Sequence, residues 1–193
     1  MKAREEQRRH VIERVAEHLL RTGLAEASLR QLAAAAGVSD RMLLYYFDDK
    51  TEVMSAAMGR IAADMVGRLE EAIPPARLPA NELIPRAAAI VLEAETRPYM
   101  RLWVEVVAAA ARREEPFAEI AKQIVAGFLA WIEARLEPPR GTDPSAAAAA
   151  ILAIVDGMAL LDICAGGEVT ARAATSLATL MADDLKDGTG ATL

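Results

Sequence analysis

Residues 28–47 contain two short helix patterns separated by a three-residue turn, and this spacing constrains the fold more than any other feature of the sequence. Ser28 and Gln31 form a capping-box pattern, in which each side chain satisfies a free backbone donor at the start of a helix. Gly37 can take the left-handed conformation of a sharp turn, and Ser39 can cap the helix that follows. The segment therefore predicts two short helices joined by a tight turn, the arrangement of a helix-turn-helix.

The apolar residues of this segment predict how the two helices pack. Ala33 allows the second helix to approach closely, and Val38 and Leu43 are placed to fill a small core. Leu43 and Phe47 lie four residues apart, so both side chains point inward from one face of the helix. The pattern A-x-x-x-G-V is common by chance, but the aromatic residues at 45–47 that follow it make the combination specific.

The other residues of the second helix then face away from the core, where a DNA groove can accept them. Arg41 can form the bidentate contact to guanine, and Leu44 or Met42 can touch a thymine methyl group. Further side chains are better placed for phosphates, contacts that position a protein without distinguishing bases. The predicted DNA-binding residues are Ser28, Arg30, Ser39, Asp40, Arg41, Leu44, Tyr45, Tyr46 and Lys50.

The charge distribution agrees with a DNA-binding N-terminal segment, although the chain as a whole carries a net charge of −6. Residues 1–60 hold ten Lys/Arg and nine Asp/Glu, whereas residues 61–193 hold twelve and nineteen. Binding to phosphate depends on local cations rather than on the total charge. The acidic balance of the chain therefore does not exclude nucleic acid.

The segment SLRQLAAAAGVSDRMLLYYFDDKTEV, residues 28–53, resembles the N-terminal motif of the TetR (tetracycline-repressor) family, and the resemblance is close from Ile12 to about Val53. Family members usually have Gly and then Thr where this chain has Arg41 and Met42. Leu44 replaces a Tyr that commonly contacts phosphate in the family. The resemblance implies the helix-turn-helix fold and a homodimer on double-stranded operator DNA, and it leaves the contacted bases open.

Helical periodicity and breaks predict an all-α fold of about nine helices. We expect a three-helix DNA-binding domain at 1–49, a connecting helix at 50–73 and a larger domain at 82–193, which the resemblance implies to be the ligand-binding and dimerisation domain. The sequence shows no strand pattern, and the proline-rich residues 74–81 are the clearest linker. The expected helices span 4–22, 28–36, 39–46, 50–73, 82–95, 98–113, 116–136, 145–165 and 168–185.

The resemblance also implies that helices 4 to 8 enclose a cavity for a small, largely apolar effector. Such sites are mostly apolar with a few polar groups. A Met or aromatic stripe at helical spacing is usually only core, so this interpretation competes with simple packing. The predicted ligand-binding residues are Met58, Ile61, Met65, Met100, Trp103, Ile124, Phe128 and Trp131.

In the family, the last two helices pair with their symmetry mates in a four-helix bundle. Gly157 lies in the middle of helix 8, where a small residue permits close approach of another helix. The alternative is that helix 8 is buried within one subunit. The predicted dimer-interface residues are Ile151, Ile154, Gly157, Met158, Leu161, Leu177, Leu180 and Met181.

Other classes of function find little support in the sequence. His10 and His18 match no metal-ligand spacing, and there is no phosphate-binding glycine loop, so we expect neither an enzyme nor a cofactor. A DNA-binding regulator without a small-molecule effector, either an activator or one that depends on a partner protein, remains the alternative.

Three features predict a cytoplasmic protein that does not enter the membrane. The first residues lack the apolar core of a signal peptide, and a single cysteine, Cys164, cannot form an intrachain disulfide. The most apolar stretch, 146–161, is shorter than the ~20 residues of a membrane span and contains Asp156.

Arg101 and Glu105, one helical turn apart, are expected to form a surface pair.

Overall fold

The computed structural model describes the backbone of residues 2–138 and 141–187, and side chains within 4–138, 141–177 and 179. The expected all-α fold is confirmed, because nine α helices account for most of the described residues. The elements are α1 (Lys2–Thr22), a 3-10 helix (Leu24–Glu26), α2 (Leu29–Ala36), α3 (Asp40–Tyr46), α4 (Lys50–Ala72), β1 (Leu78–Pro79), α5 (Ala80–Val91), α6 (Arg97–Ala111), α7 (Phe117–Arg135), β2 (Leu136–Glu137), α8 (Pro144–Ala165) and α9 (Gly167–Asp187).

The chain divides into two compact units that do not follow the sequence order. The first unit comprises Met1–Gly67 with Pro98–Gly127, and the second comprises Arg68–Arg97 with Phe128–Leu193. This grouping differs from the sequential division expected from the sequence, because α6 and the first part of α7 share a core with α1 to α3. Leu102, Val106 and Ile120 are the buried side chains that they contribute.

The core of the first unit supports the predicted helix-turn-helix. Side chains of α1, α2, α3 and α4 are buried in one cluster, with Leu43 and Phe47 of the α3 segment fully enclosed. Met54 and Met58 of α4 lie in the same cluster. Burial of a large apolar side chain contributes about 1.5–3 kcal/mol, so tertiary packing stabilises these short helices.

Glu105 of α6 takes a different role from the surface pair expected with Arg101. Its carboxylate accepts a hydrogen bond from the Leu24 backbone N–H at 2.6 Å. The preceding residue, Gly23, has φ 72° and ψ −164°. A Cβ atom at Gly23 would collide with the Glu105 carboxylate. The glycine therefore meets both a backbone requirement and a space requirement where α1 ends.

The second unit contains a short parallel pairing that was not expected from the sequence. Leu78 pairs with Leu136, and Pro79 pairs with Glu137. Each strand has two residues, which is too short for the alternation of apolar and polar residues that marks a strand. The expected linker 74–81 is also shortened, because α5 already begins at Ala80.

Helix α5 ends at Val91, four residues earlier than expected, because a buried threonine binds its last carbonyl groups. The Thr96 hydroxyl lies 2.7 Å from the Ile90 oxygen and 3.0 Å from the Val91 oxygen. Carbonyls in the last turn of a helix have no partner within the helix. The Thr96 side chain supplies one and diverts the chain toward α6.

Helix α8 has nearly the expected bounds, 145–165, and leaves part of its apolar surface exposed. Its 22 residues are long and apolar enough to cross a membrane by length and composition alone, a property that it shares with core helices of soluble proteins. One side packs on α5 and α9. The other side exposes apolar side chains, including Leu160 at 49%. An all-round apolar helix is thus only half covered in one copy of the chain.

We predict that Gly23→Ala destabilises the chain more than Gly37→Ala does. Both glycines have positive φ, but the space around a Gly37 Cβ is open. The left-handed conformation alone should cost about 1–2 kcal/mol at Gly37, whereas at Gly23 the Glu105 carboxylate must also move and lose its bond to Leu24. Urea unfolding measures both costs. In a Glu105→Ala background the excess cost at Gly23 should shrink, and an unchanged excess would exclude the carboxylate as its cause.

Candidate nucleic-acid interface

The α2–turn–α3 segment has the predicted local geometry. The Ser28 Oγ accepts from the Gln31 N–H at 3.3 Å, and the Gln31 Oε1 accepts from the Ser28 N–H at 3.1 Å, which confirms the capping box. Gly37 adopts the left-handed conformation, with φ 71° and ψ 26°. The Val38 N–H then donates to the Ala33 oxygen at 3.0 Å. Ala33 is buried, so α2 and α3 meet at a small side chain.

Helix α3 presents a distinct outer face. Its start is capped by Ser39, whose Oγ accepts from the Met42 N–H at 3.2 Å. Leu43 and Phe47 point into the core, as predicted. The opposite side exposes large side chains, with Leu44 at 46% and Tyr45 at 58%. Exposed apolar groups clustered on one short helix indicate a contact surface rather than a solvated face.

The predicted DNA-binding residues differ in how freely they can reach a ligand. The Ser28 hydroxyl is engaged in the capping box, where it also donates to the Gln31 Oε1 at 2.5 Å. The Tyr46 ring is half-buried and packs edge-on against the Tyr45 ring, with 5.3 Å between centroids. The exposed members are Ser28, Arg30, Ser39, Asp40, Arg41, Leu44, Tyr45 and Lys50.

Two arginines of α1 contact the end of α3, and sequence reasoning missed them. The Arg4 Nη2 donates to the Tyr45 carbonyl at 3.1 Å, and its guanidinium lies 5.0 Å from the Tyr45 ring centroid. The Arg8 guanidinium lies 4.6 Å from the Phe47 ring centroid. Arg4 and Arg8 are four residues apart, so they lie on one helix face. That spacing was the available sign that α1 carries a basic stripe.

Glu52, in the first turn of α4, joins α1 to the α3–α4 turn. Its Oε1 accepts from Arg8 at 2.6 Å, and its Oε2 accepts from the Asp48 N–H at 2.7 Å. The Asp48 N–H, and secondarily Arg8, hold the pKa of the Glu52 carboxyl below its ordinary value. The carboxylate therefore stays ionised at neutral pH and keeps both partners.

Comparison with known proteins identifies the chain. Residues 12–57 match the description "Bacterial regulatory proteins, tetR family", and residues 86–186 match "BetI-type transcriptional repressor, C-terminal". The second match covers more than half of the chain. The chain belongs to the TetR family. It is therefore a DNA-binding transcriptional regulator, and the exposed face of α3 is the part of its helix-turn-helix that faces away from the core.

Individual relatives agree with this assignment. The chain is 25% identical over 160 residues to the HTH-type transcriptional regulator PksA of Bacillus subtilis, covering 81% of this chain and 78% of PksA. It is also 25% identical to the multidrug binding protein EbrR, solved in complex with proflavin, with a TM-score of 0.60 over 89% of this chain and 99% of EbrR.

Another solved structure has a higher TM-score and a lower sequence identity. A TetR-family regulator from Rhodococcus sp. has a TM-score of 0.74 at 21% identity, covering 92% of this chain and 97% of that one. At this identity the likeness supports the fold alone.

We predict that Lys50→Ala and Arg41→Ala weaken DNA binding in different ways. Both side chains are exposed, Lys50 at the first residue of α4 and Arg41 on the outer face of α3. Loss of a phosphate contact at Lys50 should weaken binding to all sequences about equally and lower the salt slope by ~1. Loss of a guanine contact at Arg41 should cost ~1–3 kcal/mol and relax the preference at one base pair. Binding isotherms on operator and scrambled DNA at several salt concentrations measure both. An unchanged sequence preference in Arg41→Ala would contradict the proposed orientation of α3.

Proposed function

We propose that this TetR-family regulator is a repressor that binds operator DNA as a homodimer and releases it when a small, largely apolar effector binds. The observation that carries the proposal is the outer face of α3, where Arg41, Leu44 and Tyr45 are exposed on a helix fixed by a cap and a buried face. Side chains of this kind can contact base edges in the major groove. Repression follows if the operator overlaps a promoter.

The uncovered side of α8 supports the homodimer. Gly157, Leu160, Leu161, Cys164 and other residues line a shallow apolar groove on the second unit. No Cβ at Gly157 would meet another atom within 4 Å, so the glycine is not needed for packing inside one copy. Small residues allow helices to approach closely, and soluble homodimers bury the same patch on both subunits. A second copy of α8 accounts for both the glycine and the exposed apolar groups.

The predicted dimer residues fall into different groups in one copy of the chain. Ile154, Gly157, Met158, Leu161 and Leu177 line the groove. Ile151 is buried within the subunit, so its apolar side chain needs no second copy to cover it. The side chains of Leu180 and Met181 lie outside the described residues.

Trp131 and Arg135 at the end of α7 support the effector hypothesis in the second unit. Trp131 is only 7% exposed, and its Nε1 has no hydrogen-bond partner among the described residues. The Arg135 Nε is likewise buried without a partner, while its Nη2 donates to Glu70 at 2.9 Å. A buried unsatisfied donor costs about 1–3 kcal/mol. An effector with a hydrogen-bond acceptor and an aromatic or apolar body would remove that cost.

The remaining effector contacts stay proposals. In the first unit, Met58 and Ile61 are buried in the core that carries α3, and Trp103 and Ile124 pack against it. An effector that displaces any of these side chains would therefore disturb the support of the DNA-binding helices. Met65 and Met100, both buried, are the other proposed effector contacts in the first unit. Phe128, a proposed contact in the second unit, is half-buried. The EbrR–proflavin complex makes a planar aromatic compound a reasonable first probe for this chain.

Operator binding and release by the purified full chain test the proposal. We expect binding to DNA from upstream of its own gene with an affinity well above that for scrambled DNA. A panel of apolar compounds, with cationic, neutral and carboxylated aromatic members and proflavin among them, should contain at least one that lowers operator affinity. A loss of 5–150-fold corresponds to a coupling of about 1–3 kcal/mol. Binding that no compound weakens would instead favour a regulator without a small-molecule effector.

We propose a cytoplasmic location and no catalytic activity.

We predict that Gly157→Leu dissociates the dimer while each subunit stays folded. The space around Gly157 is open in one copy, so the leucine fits there, but it fills the gap that a second helix would occupy. Overpacking of this kind costs about 1–3 kcal/mol. Sedimentation should show monomers, and a thiol reagent should modify Cys164 faster than in the unsubstituted chain. Gly127→Leu, at an exposed glycine of α7 that also has open space around it and does not line the groove, is the control. An unchanged dimer for Gly157→Leu would remove this face from the interface.

We predict that Trp131→Phe reduces the effector response and leaves operator affinity in the absence of effector unchanged. The substitution keeps an aromatic ring but removes the unpartnered Nε1–H donor. When a releasing compound is titrated into the protein–operator complex, half-maximal release of the operator should require a higher compound concentration than with the unsubstituted chain. Trp103 is the other tryptophan of the chain, so Trp131 fluorescence can be followed alone in Trp103→Phe. If a compound that releases the operator leaves that fluorescence unchanged, Trp131 does not contact the effector.

A further inference from the structure

We infer that Arg8 of α1 is a positioning residue for DNA recognition, because it holds the end of α3 and the first turn of α4 in one arrangement. The inference depends on DNA binding by α3 and not on repression, dimer geometry or an effector. Arg8 precedes residues 12–57, the segment that matches the family description. Its role therefore rests on the contacts that it makes in this chain.

Helix α3 needs external support because it has only seven residues. Helices shorter than about 12 residues are marginal in water. Ser39 caps its start, but the carbonyls of its last turn have no partner within the helix. Arg4 donates to the Tyr45 carbonyl at 3.1 Å, and the Arg8 Nε approaches the Tyr46 carbonyl at the longer distance of 3.4 Å. Two cations at a helix C-terminus also interact favourably with the helix dipole.

Arg8 also covers the aromatic ring that anchors α3. Phe47 is 2% exposed, and the Arg8 guanidinium lies 4.6 Å from its ring centroid. The delocalised guanidinium stacks on aromatic faces in a way that an ammonium group does not. The ring is therefore enclosed by the core on one side and by the guanidinium on the other.

The same guanidinium also binds a side chain in the first turn of α4. Its Nη2 donates to the Glu52 Oε1, while the Glu52 Oε2 accepts from the Asp48 N–H. The Asp49 Oδ1 accepts from the Glu52 N–H at 2.8 Å. These bonds connect α1, the α3–α4 turn and the first turn of α4 in one network. Lys50, a proposed phosphate contact, lies in the sequence between Asp49 and Glu52, two residues that these bonds connect.

The salt dependence of DNA binding distinguishes a positioning role of Arg8 from a direct contact between Arg8 and DNA. The Glu52 carboxylate neutralises Arg8 at 2.6 Å. Each phosphate contact that is lost lowers the salt slope of binding by about one. A neutralised arginine that positions other groups contributes little to that slope. Loss of Arg8 should therefore weaken binding and reduce sequence preference without changing the salt dependence.

Arg8→Ala and Arg8→Lys in the full chain test this inference, with Arg9→Ala as the control at the adjacent exposed position. Lysine keeps the charge but not the planar fork that reaches two acceptors and a ring at once. We expect both Arg8 variants to lower operator affinity about tenfold, to reduce the ratio of operator to scrambled-DNA affinity, and to keep the salt slope. Arg9→Ala should keep that ratio.

Two results would overturn the inference. Wild-type operator affinity in Arg8→Lys would show that only the charge matters. A slope lowered by about one, with equal losses on operator and scrambled DNA, would make Arg8 a phosphate contact. Glu52→Gln provides a second test if Arg8→Ala does not fold. It keeps an acceptor for the Asp48 N–H but removes the ion pair, so the ratio of operator to scrambled-DNA affinity should fall below that of the unsubstituted chain, and an unchanged ratio would also contradict the positioning role.

Discussion

Burial of Leu43 and Phe47 beneath a seven-residue helix is the interaction on which the rest of the structure depends. A helix as short as α3 gains little from its own hydrogen bonds. Its position is set by two inward side chains that enter a core built by α1, α2, α4, α6 and the first part of α7. Because the inner face of α3 is held in the core, the residues on its outer face are fixed as well. Of the two faces of this helix, only the outer one can contact DNA.

The second constraint is electrostatic. Near α3 the chain is almost neutral, since the cations of the first 60 residues are nearly matched by carboxylates. Many of these charges are committed to structure: Glu52 binds Arg8 and a backbone N–H, and Asp49 caps a helix. DNA affinity must then come from the few cations outside such networks, with Arg41 and Lys50 as candidates. A basic total charge is not required, because phosphates respond to local cations.

The second unit follows a different principle. Helix α8 is apolar on all sides, which is normal for a helix buried all round. In one copy α5 and α9 cover only one side, and the rest carries exposed leucine and isoleucine around a glycine with open space. The apolar composition that resembles a membrane span is therefore also what a helix shared between two subunits requires. At the end of α7, the Trp131 Nε1 and the Arg135 Nε are buried and have no hydrogen-bond partner among the described residues.

The sequence by itself determined the local features of this protein. The Ser28–Gln31 box, the Ser39 cap, the Gly37 turn and the inward pair Leu43–Phe47 each depend on residues within four positions of one another, so propensity and periodicity are sufficient to predict them. The resemblance from Ile12 to about Val53 also pointed to the family. Tertiary structure alone decided the rest. Glu105 binds Leu24 across 81 residues, and Arg8 binds Glu52 across 44. The placement of α6 beside the DNA-binding helices and the pairing of β1 with β2 are similar cases. Such contacts depend on which helix faces meet after packing, and no spacing within a single segment encodes that.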